Sequence, residues 1–291
     1  MAGIKEKKLY GLDHAVLNVE PPASMWMNLG YWKDTESFPE ACQALLDEVL
    51  QTAKPDQGID LLDVGIGCGD QSVYLTELLH SSGSPLVDSY VGITIAEAQA
   101  VFARSRLTCA GKIFAADAAD PASWNDQLKE AVVRQKSNNK TTWLLALDTL
   151  YHFKPSRAPL FKAACGEMNA SLMAFDLVLS DTASLRDKLI LYAMCLVSGI
   201  PYTNLMTKTQ YEALLVRAGY ELGEIEMRDV SEHVFSGISR YILNRDAVMR
   251  PYGISLGRFR GAAKVFRWWG ESGLVRGYII VARHSSCSTK Q

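Results

Sequence analysis

The sequence lacks the cysteine spacing of a zinc protein or of a disulfide-built domain. Its six cysteines are widely and irregularly spaced, without a CxxC pair and without a nearby pair of histidines. Structural zinc sites usually place their ligands at such short spacings, so we expect no metal site. The start, MAGIKEKKLYGLDH, also has no apolar signal-peptide core. These features favour reduced thiols in a cytoplasmic protein.

The sequence also lacks an apolar run long enough to cross a membrane. The longest run, Leu189–Ile200, is interrupted by Ser198 and Gly199, and a bilayer span needs about 20 apolar residues. We therefore expect no transmembrane segment and interpret the run as a buried helix, with a helix lining an apolar substrate pocket as the alternative. Peripheral membrane contact stays open because of a basic cluster. Its members are Arg258, Arg260, Lys264 and Arg267.

An excess of either charge is missing as well. The chain has 30 basic and 32 acidic side chains, and its formal net charge is −2. Nucleic-acid affinity comes largely from Lys and Arg that neutralise phosphates, so we expect no nucleic-acid partner. A neutral or modest-sized small molecule is the favoured substrate, and the sequence leaves the oligomeric state open.

What the sequence does contain is an alternation of strand patterns and helix patterns. Such alternation is typical of a mostly parallel sheet with helices on both faces. Seven strands are predicted, at Ile59–Val64, Ser89–Ile93, Lys112–Ala116, Thr142–Asp148, Ser171–Leu179, Ile225–Val230 and Val275–Arg283. The last two strands are separated by about 40 residues, Ser231–Gly273, which we interpret as a helical insertion because bare loops of that length are uncommon.

The sharpest single feature is the segment Leu61–Asp70, in which an apolar strand runs into a Gly-x-Gly-x-Gly turn before a helix. Glycines let a backbone approach a ligand closely. A dinucleotide-binding loop reads Gly-x-Gly-x-x-Gly and holds a pyrophosphate, but here Gly69 follows Gly67 one residue too early. Asp63, two residues before Gly65, would repel a pyrophosphate and suits a cationic ligand.

This segment resembles the first motif of the class I methyltransferases that use S-adenosylmethionine. In that family the glycine turn packs against the amino-acid part of the cofactor, which implies that Asp63, Gly65, Gly67 and Gly69 bind S-adenosyl-L-methionine here. The resemblance also implies an α/β fold with a Rossmann-like, seven-stranded, mostly parallel sheet and helices on both faces. An N-terminal helical cover and a C-terminal helical insertion would complete this fold.

The end of the second strand narrows the resemblance to a subgroup. The segment Tyr90–Gln99 is similar to the Gly-hydrophobic-Thr-hydrophobic-Ser-x-x-Gln segment of cyclopropane fatty acid synthases, sterol C-methyltransferases and tocopherol-type methyltransferases. Ala96 stands in the place of the Ser. That subgroup uses the segment to hold the cofactor's ribose, which implies contacts from Thr94, Ile95 and Gln99.

Two further segments match the same family. After the third strand, Asp117 and Ala118 occupy the positions where the family binds adenine, and Trp124 either covers the adenine face or packs in the core. Upstream, Trp26–Trp32 resembles the subgroup's Asn-x-Gly-Tyr-Trp segment, which closes over cofactor and substrate. This resemblance implies that Tyr31 contributes to cofactor binding.

The fourth strand leads into Leu147–Phe153, where related enzymes carry a catalytic or substrate-contacting histidine. A histidine titrates near neutral pH, so His152 is the first candidate base. Tyr151 is the candidate to orient the substrate or assist the proton transfer. Asp148 is expected to contact the cofactor or to fix His152, and His233 is a second candidate base.

Together these features favour methyl transfer from S-adenosyl-L-methionine to a carbon, nitrogen or oxygen of a small, largely apolar or aromatic molecule, lipid-like or from secondary metabolism. Two enzymatic alternatives stay open: a cofactor-assisted rearrangement or cyclisation without methyl transfer, and methylation of RNA or protein. A non-enzymatic partner subunit is the last alternative, against which the intact glycine motif counts.

The chain is interpreted as a single methyltransferase domain over residues 1–291. Residues 1–58 would form the N-terminal arm and cover, 59–179 the cofactor-binding core, and 180–291 the substrate lid with the last strands. The surplus over a minimal cofactor-binding core is thus expected to wrap around one sheet, with no second domain.

Overall fold

The computed structural model describes residues 20, 22–76, 86–107, 111–136 and 140–285, without the side chains of residues 134–136 and 258. The strands are β1 (Ile59–Val64), β2 (Val87–Thr94), β3 (Lys112–Ala115), β4 (Thr142–Leu147), β5 (Ser171–Leu179), β6 (Ile225–Asp229) and β7 (Val275–Ala282). The α-helices are α1 (Phe38–Ala53), α2 (Asp70–Thr76), α3 (Glu97–Arg106), α4 (Asp126–Lys136), α5 (Ala158–Lys162), α6 (Leu185–Ser198), α7 (Lys208–Ala218), α8 (Phe235–Met249) and α9 (Gly257–Ser272).

The seven strands join one sheet in the order β3-β2-β1-β4-β5-β7-β6. Strands β1 to β5 pair in parallel, and β7 runs antiparallel to both of its neighbours, β5 and β6. The order of strands reverses between β1 and β4, and ligands of such sheets bind outside the carboxyl ends of the strands at this switch point. The predicted Rossmann-like α/β sheet is confirmed.

Both faces of the central strands are covered, which explains why most residues of these strands are apolar. Every residue of β1, β4 and β5 is buried. Leu61 and Leu145 belong to the core on one face of the sheet, and Leu62 and Leu144 belong to the core on the other. Because these positions are fully buried, a Leu-to-Ala change at any of them should cost about 2–5 kcal/mol.

The predicted N-terminal helix and C-terminal insertion are also present. Helix α1 has Pro39 in its first turn and buries every fourth residue, from Ala41 to Ala53, against β5 and β7. The insertion consists chiefly of α8 and α9, which pack against each other, and α9 also packs on β7. Both elements therefore pack on the half of the sheet that contains the antiparallel strand β7.

One interpretation of a helix is wrong. The run Leu189–Ile200, interpreted as a buried helix, lies mostly in α6, in which Leu191 and Cys195 are buried and most of the other side chains are exposed. Helix α5 continues as a π-helical turn, Ala163–Glu167. Residues 77–85, after α2, lie outside the described residues. Most of the predicted N-terminal arm also falls outside the described residues.

Candidate active site

The turn after β1 contains glycines whose conformation leaves little room for another residue. Gly65 has a φ of +77°, and a Cβ atom there would lie 2.4 Å from Oγ1 of Thr149. Gly69 has a φ of +85°, and its Cβ would lie 2.7 Å from that of Ala103. Gly67, with a φ of +56°, faces open space instead. The turn therefore packs tightly on both flanks and leaves room for a ligand at its tip.

A cavity of about 580 Å³ opens beside this turn, at the carboxyl ends of β1 to β4. Its volume lies within the roughly 300–1,000 Å³ typical of small-molecule sites. Most of the site residues predicted from the sequence line it, namely Gly65, Gly67, Thr94, Ile95, Gln99, Asp117, Ala118 and His152. The structure thus brings together strand ends that are far apart in the chain.

The lining also contains residues that the sequence did not single out as site residues. They are Met27, Ile93, Ala96, Ala116, Thr149, Phe153, Lys154 and Gly199. Most of them lie within three residues of a predicted position, so the motif already marked their neighbourhood. Met27 lies in the predicted N-terminal segment, and Gly199 lies in the run Leu189–Ile200, for which a helix lining a substrate pocket was the alternative interpretation.

At the β2 and β3 ends, polar groups are held in fixed positions. The hydroxyl of Thr94 donates to Oε1 of Gln99 at 2.7 Å, which orients the amide of that side chain. The carboxylate of Asp117 accepts from the backbone N–H of Ala119 at 2.8 Å. The indole N–H of Trp124 donates to the Asp117 carbonyl at 2.8 Å, and the ring is buried in the core. Core packing thus accounts for Trp124.

Asp63 lies beneath the glycine turn and does not line the cavity. One of its carboxylate oxygens accepts from Nε2 of Gln71, and the other accepts from the hydroxyl of Tyr90, both at 2.7 Å. The same hydroxyl lies 2.7 Å from Oγ of Ser72. Burial raises the pKa of Asp63 to about 7, against the lowering effect of its two hydrogen bonds. The side chain therefore joins β1, β2 and α2 under the turn.

Asp148 directly follows β4 and has a left-handed backbone, with a φ of +58°. Its Oδ2 accepts from the backbone N–H of Leu29 at 2.8 Å. Burial raises the pKa of Asp148 to about 7, although the Leu29 N–H and the Tyr151 hydroxyl lower it. Asp148 does not line the 580 Å³ cavity, and it ties the N-terminal segment to the end of β4.

His152 lines the cavity, whereas Tyr151 is buried behind it and does not line the cavity. The centroids of their rings are 4.2 Å apart. Partial burial, followed by the positive charge of Lys154, lowers the pKa of His152. The imidazole is therefore largely neutral near pH 7 and can accept a proton. Burial, followed by the charge of Asp148, raises the pKa of Tyr151. Its phenol consequently stays protonated, so it can donate a hydrogen bond but does not act as a base.

The structure does not bring Tyr31 or His233 to the cavity, since neither side chain lines it. Their rings pack edge to face with centroids 5.0 Å apart, and the backbone N–H of Trp32 donates to the His233 carbonyl at 2.7 Å. Burial, followed by the charge of Glu48 on α1, raises the pKa of Tyr31. The Tyr31 ring therefore packs against His233 outside the cavity lining.

The N-terminal segment Met25–Asn28 lies over the glycine turn and leaves a void of only about 20 Å³ between them. This space is close to the room that one water molecule needs. The backbone N–H of Met25 donates to Oδ1 of Asp70 at 3.0 Å. Asp70 also pairs with Arg106 at 2.9 Å. The segment is thus fastened at both ends, by Asp70 and by Asp148.

Three further observations concern the surroundings of the site. Among the described residues, no group of three His, Cys, Asp or Glu side chains is placed to hold a metal ion. No helix in that part of the chain is long and apolar enough to cross a membrane. The insertion aromatics Phe235 and Trp269 contact each other in the core at 5.7 Å and do not line the cavity.

Comparison with known proteins matches this chain by structure alone. A scan against protein-family models and a search of curated proteins both find no match. Among solved structures, the [4+2]-cyclase SpnF is 18% identical with a TM-score of 0.60, over 96% of this chain and 95% of that chain. The mycolic acid cyclopropane synthase CmaA1, crystallised with SAH and CTAB, is 14% identical with a TM-score of 0.63, over 94% and 95%. The cyclopropane synthase MmaA2 from Mycobacterium tuberculosis is 14% identical with a TM-score of 0.60, over 89% and 90%.

At such low identities the likeness shows the fold. The matches extend over nearly the whole of both chains, including the N-terminal cover and the C-terminal insertion. The fold expected from the glycine motif, and from the segment Tyr90–Gln99 that resembles the cyclopropane synthase subgroup, is confirmed.

Proposed function

We propose that the chain is an S-adenosylmethionine-dependent methyltransferase that acts on a small, largely apolar or aromatic molecule. The observation that carries this proposal is the composition of the cavity. Glycine-turn residues, a ribose-type Thr94–Gln99 pair, an adenine-type Asp117 and His152 all line one space. Among the structural neighbours, CmaA1 was crystallised with SAH, which supports the same class of cofactor here.

The residues present fit this cofactor on three counts. Gly67 presents open space where a Cβ atom would otherwise stand, so the backbone can approach a ligand. Asp117, which is exposed, and the oriented amide of Gln99 offer polar groups along the cavity. The buried acids Asp63 and Asp148 hold the turn and the N-terminal segment in place beside this space, through hydrogen bonds from Gln71, Tyr90 and Leu29.

We assign the holding contacts to Gly65, Gly67, Thr94, Gln99 and Asp117 with their backbone neighbours. When bound, the cofactor supplies the electrophilic methyl group, so the protein mainly has to hold the acceptor in line and exclude water. Asp63 and Asp148 then act by positioning the turn and the N-terminal segment. Closure of that segment over the glycine turn is what excludes water from this end of the site.

His152 is the proposed proton acceptor, because its imidazole lines the cavity and its pKa is lowered. A hydroxyl or ammonium acceptor has to lose a proton on methylation, and a neutral imidazole within reach can take it. Tyr151 is buried beside that ring and remains a donor, so we assign it to orienting the acceptor or the imidazole. His233 has no role in this proposal because its side chain does not line the cavity.

The apolar character of the acceptor is proposed from the cavity rim. Met27 and Ile95 line the cavity although their side chains are 72% and 77% exposed. Phe153 adds an aromatic ring to the same lining. An acceptor with apolar or aromatic parts would cover this exposed surface.

The second candidate function is a cyclisation or rearrangement without methyl transfer. One observation favours it: the [4+2]-cyclase SpnF matches 96% of this chain. The cofactor would then serve as a bound cation or structural group, and His152 would contact the cyclising molecule.

Product analysis separates the two candidates. The purified protein is incubated with S-adenosylmethionine labelled in its methyl group and with a panel of small apolar and aromatic acceptors. Label in a product, together with one S-adenosylhomocysteine per product molecule, supports methyl transfer, whereas a product of unchanged mass supports cyclisation. His152→Gln should lower the rate at least about 100-fold, and His284→Gln, at a partly exposed histidine outside the cavity, should not.

A further inference from the structure

Helix α6 exposes an unusual amount of apolar surface. Soluble proteins normally place polar residues on the outer face of a surface helix, and larger apolar patches mark contact sites. On α6, a helix of 14 residues, six large apolar side chains are exposed to solvent. The exposed side chains are Leu185 (81%), Leu189 (70%), Ile190 (41%), Tyr192 (48%), Leu196 (68%) and Val197 (91%).

Four of these side chains form one narrow seam. Leu185, Leu189, Tyr192 and Leu196 follow one another at spacings of four, three and four residues. At 3.6 residues per turn they fall within an arc of about 60°. The residues that fix α6 to the body of the protein, Leu191 and Cys195, lie on another face. A seam of this spacing is the pattern with which one helix packs against another.

The spacing of the four seam residues is also the same when it is counted from either end of the helix. Reversing the spacing four, three, four leaves it unchanged, so a second copy of the helix running in the opposite direction presents matching residues at matching heights. Leu185 of one copy then lies opposite Leu196 of the other, and Leu189 lies opposite Tyr192. Contacts of this self-complementary kind are those of a two-fold symmetric pair.

The charges at the two ends of α6 favour the same antiparallel arrangement. Arg186 is exposed in the first turn, and the structure gives it no ion-pair partner among the described residues. The last turn carries no basic side chain and is capped by Gly199. The free carbonyl groups at a helix C-terminus attract positive charge. In an antiparallel pair, Arg186 of each copy reaches the carbonyl end of the other helix.

We propose that α6 is a dimerisation surface, and that its partner is a second copy of this chain packed antiparallel along the Leu185–Leu196 seam. A helix of 14 residues is about 21 Å long at 1.5 Å per residue. One pair of such helices buries less than the roughly 800 Å² per partner of a standard interface. The dimer therefore dissociates reversibly, in the micromolar range.

Sedimentation velocity of the full chain, from about 1 to 200 µM, tests this proposal across the micromolar range. We expect a monomer–dimer equilibrium in which Leu189→Glu raises the dissociation constant at least about tenfold, because two carboxylates would be buried in the seam. Leu222→Glu is the matched control, since Leu222 is a similarly exposed leucine (62%) outside α6. Unchanged circular dichroism and melting temperature show that both variants fold.

Arg186→Glu tests the antiparallel orientation. It should weaken the dimer several-fold at low salt and less at high salt, because the contact is electrostatic. No change in the dissociation constant with Arg186→Glu overturns that orientation.

Three results overturn the dimer itself. They are a monomer at all concentrations, a dimer that survives Leu189→Glu, and a monomer that co-sediments with anionic phosphatidylglycerol vesicles through Leu189. The last result would assign the seam to a bilayer surface. None of these measurements depends on cofactor binding or on methyl transfer.

Discussion

The carboxylate of Asp148 accepts a hydrogen bond from the backbone N–H of Leu29 at 2.8 Å, across 119 positions of sequence. One partner stands at the end of β4, beside the proposed catalytic pair, and the other stands in the segment that covers the glycine turn. This hydrogen bond therefore connects the N-terminal segment directly to the end of β4 that carries His152. Loosening it should therefore affect both the order of the cover and the affinity for the cofactor.

Asp148→Ala should loosen the N-terminal segment, and Asp148→Asn should not. Asparagine keeps an acceptor for the Leu29 N–H and tolerates the left-handed backbone of this position. We expect the Leu29 amide to exchange its hydrogen about tenfold faster in Asp148→Ala, which corresponds to the loss of one buried hydrogen bond. Hydrogen exchange with mass spectrometry measures this. Equal exchange in the two variants would show that the bond does not hold the segment.

Asp63 should make the protein less stable as the pH rises. Its folded-state pKa of about 7 exceeds the unfolded value of about 3.9, so the folded state binds the proton more tightly. The resulting stability is present below pH 4 and is lost as the pH rises toward 7. Between pH 5 and 6.5 the free energy of unfolding should fall by about 2 kcal/mol more in the wild type than in Asp63→Asn.

Urea denaturation at several pH values measures this difference. Asp88→Asn, which changes an exposed carboxylate on β2, serves as the control. If the free energy of unfolding has the same pH dependence in the wild type and in Asp63→Asn, the prediction is wrong. Asp63 would then be ionised in the folded protein and stabilised by its hydrogen bonds from Gln71 and Tyr90.

Gly67→Ala and Gly58→Ala form a matched pair for the cofactor contact. Both glycines have positive φ, +56° and +73°, and a Cβ atom added at either one would meet nothing within 4 Å. Each change should therefore cost about 1–2 kcal/mol of stability through backbone strain. Only Gly67 of the two lines the cavity, so only Gly67→Ala should weaken S-adenosylhomocysteine binding, by at least about tenfold. Calorimetry showing equal losses in affinity would remove Gly67 from the site.

The pKa of His152 should depend on Lys154. The positive charge of Lys154 helps to lower that pKa, so Lys154→Gln should raise it toward the ordinary value. An NMR titration of the imidazole C–H signals measures this without any substrate, and Lys162→Gln, at an exposed lysine of α5, is the control. A downward shift in Lys154→Gln would contradict the placement of the two side chains.

Much of the fold could be predicted because its physical demands leave traces in the sequence. Strands buried on both faces are mostly apolar, as β1 and β4 are. A turn that meets Thr149 and Ala103 at close range requires glycine at positions 65 and 69. Most residues that line the cavity could be predicted because they lie at or just after the carboxyl ends of the strands. A ligand-binding edge of a parallel sheet is fixed once the strand order is known.

The remaining features of the site depend on side-chain orientation and tertiary packing, which the periodicity of the sequence does not encode. Tyr31 lies in a segment without regular structure, so the sequence around it does not indicate where its ring points. In the structure the ring packs against His233. Asp63 was expected among the cofactor contacts but is buried beneath the turn by Gln71 and Tyr90. Gly199 reaches the cavity through tertiary packing alone.

Isothermal titration of the purified chain with S-adenosylhomocysteine and S-adenosylmethionine is the decisive measurement for the proposed cofactor site. We predict one binding site per chain for each ligand, with a dissociation constant below about 100 µM, weakened by Gly67→Ala and left unchanged by Gly58→Ala. Absence of binding heat, from protein whose circular dichroism and cooperative melting show that it is folded, would contradict the assignment of this cavity to the cofactor.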